Sequence, residues 1–324
     1  MQIHLAPMEG LVDPIMRRIL TDIGGVDRCV TEFVRVTDVC LPRKVFRRLA
    51  PELDQGAVTP SGVPVHVQLL GSEPEVLGWN GARAAEMGAP VVDLNFGCPA
   101  KTVNRHRGGA VLLQDPELLY RLVSAVRSAV PASIPVSAKM RLGYEDKSRA
   151  VECAQALAAG GAATITVHAR TKTDGYKPPA YWPWIGRIRE AIDTHLIANG
   201  EIWSVEDYHQ CRAESGCQDV MLGRGLIARP DLALQIRQSL AGEMVSPMSW
   251  HDLGPWLLSF FAEVQENFEP RHAPGRMKQF LNYLRRNYSE ADTLWRAIRR
   301  EKDPQRIMQL LHASLQQSPQ RVAV

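Results

Sequence analysis

Long hydrophobic runs, paired cysteine motifs and a strong net charge are all missing from this 324-residue sequence. No apolar run approaches the ~18 residues that a membrane-spanning helix needs, and Met1–Ala6 lacks a basic segment followed by an apolar core. The six cysteines show no CxxC spacing, which favours reduced thiols over a disulfide framework or a metal site. We therefore expect a cytoplasmic protein with no membrane segment, no secretion signal and no metal centre.

The basic residues are unevenly distributed. The whole chain carries a charge of only +3, from 38 basic and 35 acidic residues, which does not by itself indicate a polyanionic partner. Residues 270–307 contain ten Lys or Arg against four acidic residues, a local charge of +6, so the remainder carries −3. Two further basic groups lie at Arg35–Arg48 and Lys101–Arg107. One basic run is typical of a solvated face, but three indicate a groove for a large anion.

Short apolar, β-branched segments recur through the first 240 residues, each followed by a turn and a segment of helical periodicity. This pattern predicts a closed parallel barrel of the TIM (β/α)8 class. The alternative, an open doubly wound sheet, would usually show GxGxxG after the first strand, where this chain has Ala6–Gly10. The eight predicted strands are Ile3–Pro7, Arg28–Glu32, Val65–Leu70, Val91–Asn95, Val136–Lys139, Thr164–His168, Leu196–Ala198 and Val220–Leu222.

The pattern changes after about Gly242, where long amphipathic stretches replace the strands. We therefore predict a barrel domain over residues 1–242 and a helical domain over residues 243–324. The apolar stripe Phe280, Leu281, Leu284 and Tyr288 has helical spacing and predicts a helix core. Helix starts are predicted after Asp115, Ser204 and Asp231.

The active site of such a barrel lies at the carboxyl ends of its strands. The glycine-rich ends of strands seven and eight, Asn199-Gly200-Glu201 and Gly223-Arg224-Gly225, are compatible with plain tight turns. Because both lie on adjacent strands, they favour a phosphate site. His168, on the strand beside them, is then interpreted as an anion contact rather than a structural histidine.

Other strand ends carry reactive side chains whose roles stay open. Lys139 is interpreted as a Schiff-base amine, a cation facing a ligand or a solvated lysine. Cys98 lies on a constrained turn and is interpreted as a thiolate nucleophile or a general acid. The second role needs no large pKa shift, because an ordinary thiol is mostly protonated at neutral pH. Cys153 is expected to be an inert buried thiol. Tyr176 offers a stacking surface for a base or packs its own loop.

Motifs along nearly the whole chain resemble those of the tRNA-dihydrouridine synthases, flavin enzymes that reduce uridines in the D-loop of tRNA. The most specific are Asn95-Phe96-Gly97-Cys98-Pro99 and Arg107-Gly108-Gly109-Ala110. Within the family the sequence is most similar to the bacterial C type, which is associated with uridine 16, through residues 31–37, 176–180 and 275–281. The resemblance implies an FMN-binding barrel with a helical tail.

The resemblance also implies residue roles. Cys98 is the catalytic acid that protonates C5 of uracil, after hydride transfer from FMN N5 to C6, and Asn95 orients the base. NADPH is the expected reductant, taking turns with tRNA over the same flavin. The implied FMN-binding residues are Pro7, Met8, Glu9, Gln68, Lys139, His168, Asn199, Gly200, Glu201, Gly223 and Arg224.

The tRNA contacts come from two sources. The resemblance implies Arg35, Tyr176, His272, Pro274 and Gln279, and the charge distribution adds Arg271, Arg276 and Lys278 as phosphate contacts. Two other functions stay open: an FMN-dependent reductase or dehydrogenase of a free pyrimidine, of the dihydroorotate type, and a non-catalytic RNA-binding barrel. Since no exposed apolar stripe stands out, we expect a monomer.

Overall fold

The computed structural model describes residues 1–316, and within them nine strands form one parallel sheet that closes into a barrel. The closure is the pairing of β2 with both β1 and β4, while the two-residue β3 adds beside β4. The TIM-barrel prediction and its eight strands are confirmed, and β3 is the addition. The strands are β1 (Ile3–Leu5), β2 (Arg28–Val30), β3 (Val34–Arg35), β4 (Val65–Leu70), β5 (Val92–Phe96), β6 (Val136–Arg141), β7 (Thr164–His168), β8 (His195–Asn199) and β9 (Asp219–Leu222).

The strand register decides which side chains share the barrel interior. Gln68 of β4 lies opposite Asp93 of β5, which lies opposite Ser137 of β6. Because side chains alternate along a strand, the positions two residues further on, Asn95 and Lys139, face the same side and pair with each other. The outward positions between them are apolar and buried, as helix-covered parallel strands require.

Two compact units divide the chain. The first contains Met1–Arg17 and Val26–Gly223, and the second contains Arg18–Gly25 and the chain from Arg224 onward. Helix α1 (Pro14–Ile23) begins in the first and ends in the second. The other helices of the first unit are α2 (Arg43–Leu49), α3 (Pro74–Glu86), α4 (Lys101–Arg105), α5 (Pro116–Ala129), α6 (Ala150–Ala159), α7 (Trp182–Ala191) and α8 (Val205–Ser215), with 3-10 turns at Pro51–Gln55 and Gly109–Gln114.

Side-chain caps begin two of these helices where the sequence predicts them. Asp115 accepts a hydrogen bond from the Leu118 N–H at the start of α5. Ser204 and Asp207 form a reciprocal capping box at the start of α8. Each cap satisfies backbone donors that a helix start otherwise leaves unpaired.

The second unit is helical. Phe280, Leu281, Leu284 and Tyr288 are all buried, which confirms the predicted core stripe. None of the helices within residues 1–316 is long and apolar enough to cross a membrane. The division predicted at residue 242 stays a prediction, and its last eight residues, 317–324, lie outside the described chain. The helices are α9 (Arg224–Ala228), α10 (Leu232–Leu240), α11 (Trp250–Asn267), α12 (Ala273–Leu284), α13 (Ser289–Ile298) and α14 (Pro304–Gln316).

A buried ion pair stabilises the first unit beside the barrel. Arg17 has no exposed surface, and its Nε and Nη2 donate to the two carboxylate oxygens of Glu52 at 2.9 Å each. It also donates to the carbonyl oxygens of Val12 and Leu49. Such a bidentate pair leaves a buried, uncompensated charge when one partner is removed.

We predict that Glu52→Gln lowers the free energy of unfolding by about 3 kcal/mol, because the Arg17 charge then stays buried without its counter-ion. The matched control is Asp54→Asn on the same 3-10 turn, which removes the exposed Arg47 to Asp54 pair and is expected to cost less than about 1 kcal/mol. Urea denaturation followed by circular dichroism measures both. Equal losses in the two variants would contradict the role of the buried pair.

Candidate active site

Side chains and one neighbouring backbone segment hold the turn that carries Cys98. Asn95, near the end of β5, accepts hydrogen bonds at Oδ1 from the N–H groups of Gly97 and Cys98, at 2.9 Å each. The Cys98 carbonyl accepts from the Ala110 N–H at 3.1 Å. Gly109 approaches so closely that an added Cβ would lie 2.8 Å from the Cys98 oxygen, and its φ is +67°. This packing explains why the two most specific motifs occur together.

The surroundings of the Cys98 thiol favour its protonated form. Burial raises the pKa of Cys98 above its ordinary value, and the charge of Glu9 adds to the rise. The backbone hydrogen bond from Ala100 and the charges of Arg141 and Arg35 oppose it. A half-buried thiol that stays protonated at neutral pH is suited to donate a proton, whereas a nucleophilic cysteine needs a lowered pKa.

Arg141 is a site residue that the sequence reasoning did not single out. It is 2% exposed at the end of β6, and its Nε donates to the Gly97 carbonyl at 2.8 Å. Its Nη1 donates to the carbonyls of Thr171 and Gly175 at 3.0 Å each, and its guanidinium lies 5.3 Å from the centre of the Tyr176 ring. The available signal was its spacing of two residues from Lys139, which predicts the same strand face.

Lys139 points across the interior to the end of β8. Its Nζ donates to Asn199 Oδ1 at 3.0 Å, and Asn199 Nδ2 donates to the Met221 carbonyl at 2.7 Å. Burial and the Arg141 charge lower the pKa of Lys139 to about 8, against the opposing charge of Asp93. Lys139 and Asn199 are both predicted cofactor residues. The structure thus brings two of these residues into direct contact.

The Gly200 turn forms a close cradle beside His168. Gly200 has φ +116°, and a Cβ there would lie 2.6 Å from His168 Cδ2. Glu201 also has a positive φ, of +60°, although it is not a glycine. Trp182 Nε1 donates to the Gly200 carbonyl at 2.8 Å and thereby holds the turn. Backbone N–H groups can approach an anion closely at such a turn.

A second buried arginine lies beside this turn. Arg170 has no exposed surface, its Nη2 is paired with Glu201, and its Nε donates to the carbonyls of Lys177 at 2.7 Å and Pro179 at 3.2 Å. Arg170 Nη1 is buried without a hydrogen-bond partner among the described residues. A glycine cradle, a buried cationic side chain and an orphaned donor together fit a phosphate-bearing cofactor.

The remaining predicted cofactor residues of the first unit differ in exposure. Pro7 and Met8 are half-buried after β1, and Glu9 is exposed. Burial raises the pKa of Glu9, and the Arg35 charge opposes that rise. Gln68 is fully buried within the strand layer. Gly223 follows β9 at the end of the first unit.

Predicted tRNA contacts in the first unit lie on exposed segments. Arg35, on β3, is exposed, and its charge acts on both Glu9 and Cys98. Tyr176 is 52% exposed, and its ring centre lies 6.3 Å from that of His168. The RNA-facing prediction for Tyr176 and the cofactor prediction for His168 therefore concern neighbouring side chains.

The second unit contains the other predicted residues, of which Arg224 begins α9. Arg271 and His272 are exposed just before α12, and Arg271 is paired with Glu269 at 2.8 Å. Pro274 is buried in the first turn of α12.

The other three tail residues make contacts within the second unit. Arg276 bonds to Gln279 and lies 5.8 Å from the Phe268 ring centre. Lys278 donates to the Glu301 carbonyl. Arg276, Lys278 and Gln279 thus have structural partners, and Arg271 is the most exposed of the four.

Comparisons with known proteins cover nearly the whole chain. The model of the dihydrouridine synthase family matches residues 4–319. A tRNA-dihydrouridine(16) synthase of Pseudomonas putida is 58% identical over 316 residues, covering 98% of each chain. The protein of the same name from Ralstonia nicotianae is 50% identical over 98% of each chain.

Solved structures with low sequence identity share the fold. A 2-naphthoyl-CoA reductase complex superimposes with a TM-score of 0.57 at 11% identity, covering 80% of this chain and 53% of that one. A histamine dehydrogenase from Rhizobium superimposes with a TM-score of 0.56 at 13% identity, covering 81% of this chain and 48% of that one. At these identities the likeness shows the fold alone.

We predict that Gly200→Ala abolishes or strongly weakens flavin retention, because the new Cβ collides with His168 and the positive φ disfavours a side chain. The matched control is Gly88→Ala, which has φ +90° and no neighbouring atom within 4 Å. Both variants bear a backbone penalty of roughly 1–2 kcal/mol, but only the first fills the cradle. Visible absorbance of the purified proteins, with thermal denaturation alongside, separates the two effects. Full flavin content in Gly200→Ala would contradict the cradle.

Proposed function

We propose, from the premise that this chain belongs to the dihydrouridine synthase family, that it reduces uridine 16 in the D-loop of tRNA to 5,6-dihydrouridine. Family membership makes it a flavin-dependent oxidoreductase acting on tRNA. The finer proposal is FMN as the flavin and NADPH as the reductant. The net reaction consumes uridine, NADPH and one proton and yields dihydrouridine and NADP⁺.

One observation carries the proposal: a half-buried, protonated thiol lies on a turn held by Asn95 and Arg141, at the carboxyl ends of the barrel strands. Saturating the C5–C6 bond of uracil requires a hydride at one carbon and a proton at the other. Cys98 donates that proton to C5, and its raised pKa keeps the proton available at neutral pH. FMN, when bound, would supply the hydride for C6.

The Gly200 cradle and its neighbours support FMN as the cofactor. The turn at Gly200 and Glu201 would hold the phosphate, with His168, Gly223 and Arg224. Lys139, held by Asn199, would contact the flavin with a positive charge that favours negative charge on its ring. Pro7, Met8, Glu9 and Gln68 complete the proposed ring contacts.

The tRNA must present an unstacked uridine to reach this end of the barrel. Flipping a base costs a few kcal/mol and is easiest in a loop such as the D-loop. The exposed Tyr176 is suited to stack against a base, and Arg35 and Arg271 are suited to contact phosphates. The proposal includes a monomeric enzyme in the cytoplasm.

An anaerobic absorption experiment tests the proposed function. We expect the purified protein to show a flavin spectrum that NADPH bleaches and that unmodified tRNA restores, with dihydrouridine found at position 16. A tRNA with cytidine at position 16 is the matched control. Equal reoxidation by free uridine would favour the dihydroorotate-type reductase, and a colourless protein that binds tRNA would favour the non-catalytic barrel.

Cys98→Ala is the second arm of this experiment. The variant should bind flavin and react with NADPH normally, yet its reoxidation by tRNA should fall by about 10² to 10⁴, the usual contribution of a general acid. Cys153→Ala is the control, because the Cys153 thiol is buried against the Leu113 carbonyl, and burial raises its pKa to about 12. Normal tRNA reduction by Cys98→Ala would refute the assigned acid.

We predict that Arg271→Glu weakens tRNA binding and lowers the slope of log K against log salt by about one, because one phosphate contact is lost. Arg271 is the suitable position, since its side chain is 75% exposed and its ion-pair partner, Glu269, is exposed as well. Lys278→Glu would in addition break a hydrogen bond within the second unit. Filter binding across a salt series measures the slope.

Two further variants control this measurement. Arg271→Lys should preserve the salt slope because it keeps the charge, and Glu269→Gln should strengthen binding slightly because it releases Arg271. An unchanged slope in Arg271→Glu would exclude Arg271 from the tRNA interface.

A further inference from the structure

A chain of hydrogen bonds runs through the barrel interior from Asp93 to the Cys98 turn. Gln68 Nε2 donates to Asp93 Oδ2 at 2.6 Å, and Asn95 Nδ2 donates to Gln68 Oε1 at 2.7 Å. Asn95 Oδ1 then accepts from the N–H groups of Gly97 and Cys98 at 2.9 Å each. Each length is that of a well-formed hydrogen bond.

The Cys98 turn at one end of this chain and position 93 at the other must agree on one donor and acceptor order. A backbone N–H can only donate, so Asn95 must present its oxygen to Gly97 and Cys98. The Asn95 nitrogen is therefore the donor towards Gln68, which must answer with its oxygen. Gln68 is left with its nitrogen pointing at position 93, and only an acceptor satisfies it there.

We propose that Asp93 is the positioning residue that sets the orientation of the Gln68 and Asn95 amides and, through them, the turn that carries Cys98. Both oxygens of Asp93 are acceptors here, one for Gln68 and one for Ser137, so the side chain admits one of the two orientations of the Gln68 amide. Flipping Gln68 would place its oxygen against Asp93 and its nitrogen against the Asn95 nitrogen. Both ends of the chain would then lose their hydrogen bonds.

The position of Asp93 suits this role. Gln68 and Ser137 lie directly opposite Asp93 on β4 and β6, so both bonds to the carboxylate follow from the strand register. Ser137 Oγ donates to the second oxygen, Oδ1, at 2.6 Å, on the side of the carboxylate that faces away from Gln68. Burial raises the pKa of Asp93, while these two hydrogen bonds and the Lys139 charge oppose the rise.

A cavity lies on the Asp93 side of this chain. Asp93 and Ser137 line a cavity of about 200 Å³ whose wall is made by residues at the amino ends of the strands, including His4 and His66. Asp93 is 4% exposed and Gln68 is fully buried. Asp93 therefore acts on the site through Gln68 and Asn95 and needs no direct contact with a ligand.

One consequence concerns the base. Both acceptor directions of Asn95 Oδ1 are used by the turn, and one hydrogen of Nδ2 is used by Gln68. The second hydrogen of Asn95 Nδ2 is left as a donor. It can donate to a carbonyl oxygen of uracil but not to an amino group, which is itself a donor. This consequence rests on the proposed function, whereas the hydrogen-bond chain does not.

The test moves the carboxylate along the chain without changing side-chain shape. Gln68→Glu puts a second carboxyl group against Asp93. Above the pH at which this pair shares one proton, two carboxylates face each other and repel, so the hydrogen bond between positions 68 and 93 is lost; wild type and variant are compared above that pH. We expect the Gly97 and Cys98 amide hydrogens to exchange about tenfold faster, as the loss of roughly one buried hydrogen bond implies. Hydrogen exchange followed by mass spectrometry on peptides covering residues 96–99 measures the effect without any flavin present.

The double variant Asp93→Asn/Gln68→Glu is the decisive arm. The new amide at position 93 then donates to the new carboxylate at position 68, which in turn accepts from Asn95. Ser137 donates to the oxygen of the new amide, so every hydrogen bond is restored with the charge moved to the neighbouring strand. Exchange of the turn should return to within about twofold of the wild type. A purely space-filling role for Asp93 predicts no such rescue.

Ser137→Ala is the matched control, because it removes a hydrogen bond of the same length from the same carboxylate but outside the chain. Exchange of residues 96–99 should stay at the wild-type rate in this variant. Wild-type exchange in Gln68→Glu, absence of rescue in the double variant, or an effect of Ser137→Ala as large as that of Gln68→Glu would overturn the proposal.

A failure of the proposed function would be seen elsewhere. A wild-type protein without flavin or without tRNA reduction would refute that function and leave the exchange results unaffected. A fully active wild type, together with unchanged amide exchange of residues 96–99 in Gln68→Glu, would refute only the role of Asp93.

Discussion

The closed parallel register is the constraint on which the site depends. In-register pairing carries the alternation of side chains from one strand to the next, so one choice of inward positions on β4 determines those on β5 and β6. Gln68, Asp93 and Ser137 thereby lie in one row, with Asn95 and Lys139 in the row above. A shift by one residue in any of these strands would send its polar side chains outward and break the row.

Buried charge extends this order to the loops. Arg141 and Arg170 are almost without exposed surface, and most of their hydrogen bonds go to backbone carbonyls of residues 171–179. Since an unpaired buried guanidinium is costly, each fixes the segment it touches. Arg141 links that loop to the Cys98 turn, and Arg170 links it to the Gly200 turn. The loop that presents Tyr176 is thus attached to both proposed halves of the active site.

Burial shifts the pKa values of two site residues in ways that suit different chemical roles. The interior holds a lysine whose pKa burial lowers to about 8, near a cradle that fits a phosphate. The rim holds a thiol whose pKa burial raises, which suits a proton donor. Saturation of the C5–C6 bond of uracil requires a hydride donor for one carbon and a proton donor for the other. The second unit contains the exposed Arg271, within the segment of charge +6 over residues 270–307.

The sequence alone determined the barrel, its eight main strands and the turns that carry the candidate chemistry, because hydrophobic periodicity and glycine positions are local properties. It also indicated Cys98, Lys139 and the Gly200 turn, each at a strand end. Only the tertiary structure decided which polar side chains meet inside the barrel. The sequence places Asp93 on a buried strand and Arg141 at a strand end, but it does not show their hydrogen-bond partners. Their roles come from cross-strand neighbours distant in sequence, Gln68 and Ser137 for one and Gly97 and Thr171 for the other. Contacts between residues far apart in the sequence are not visible in its local periodicity, so only the folded structure shows them.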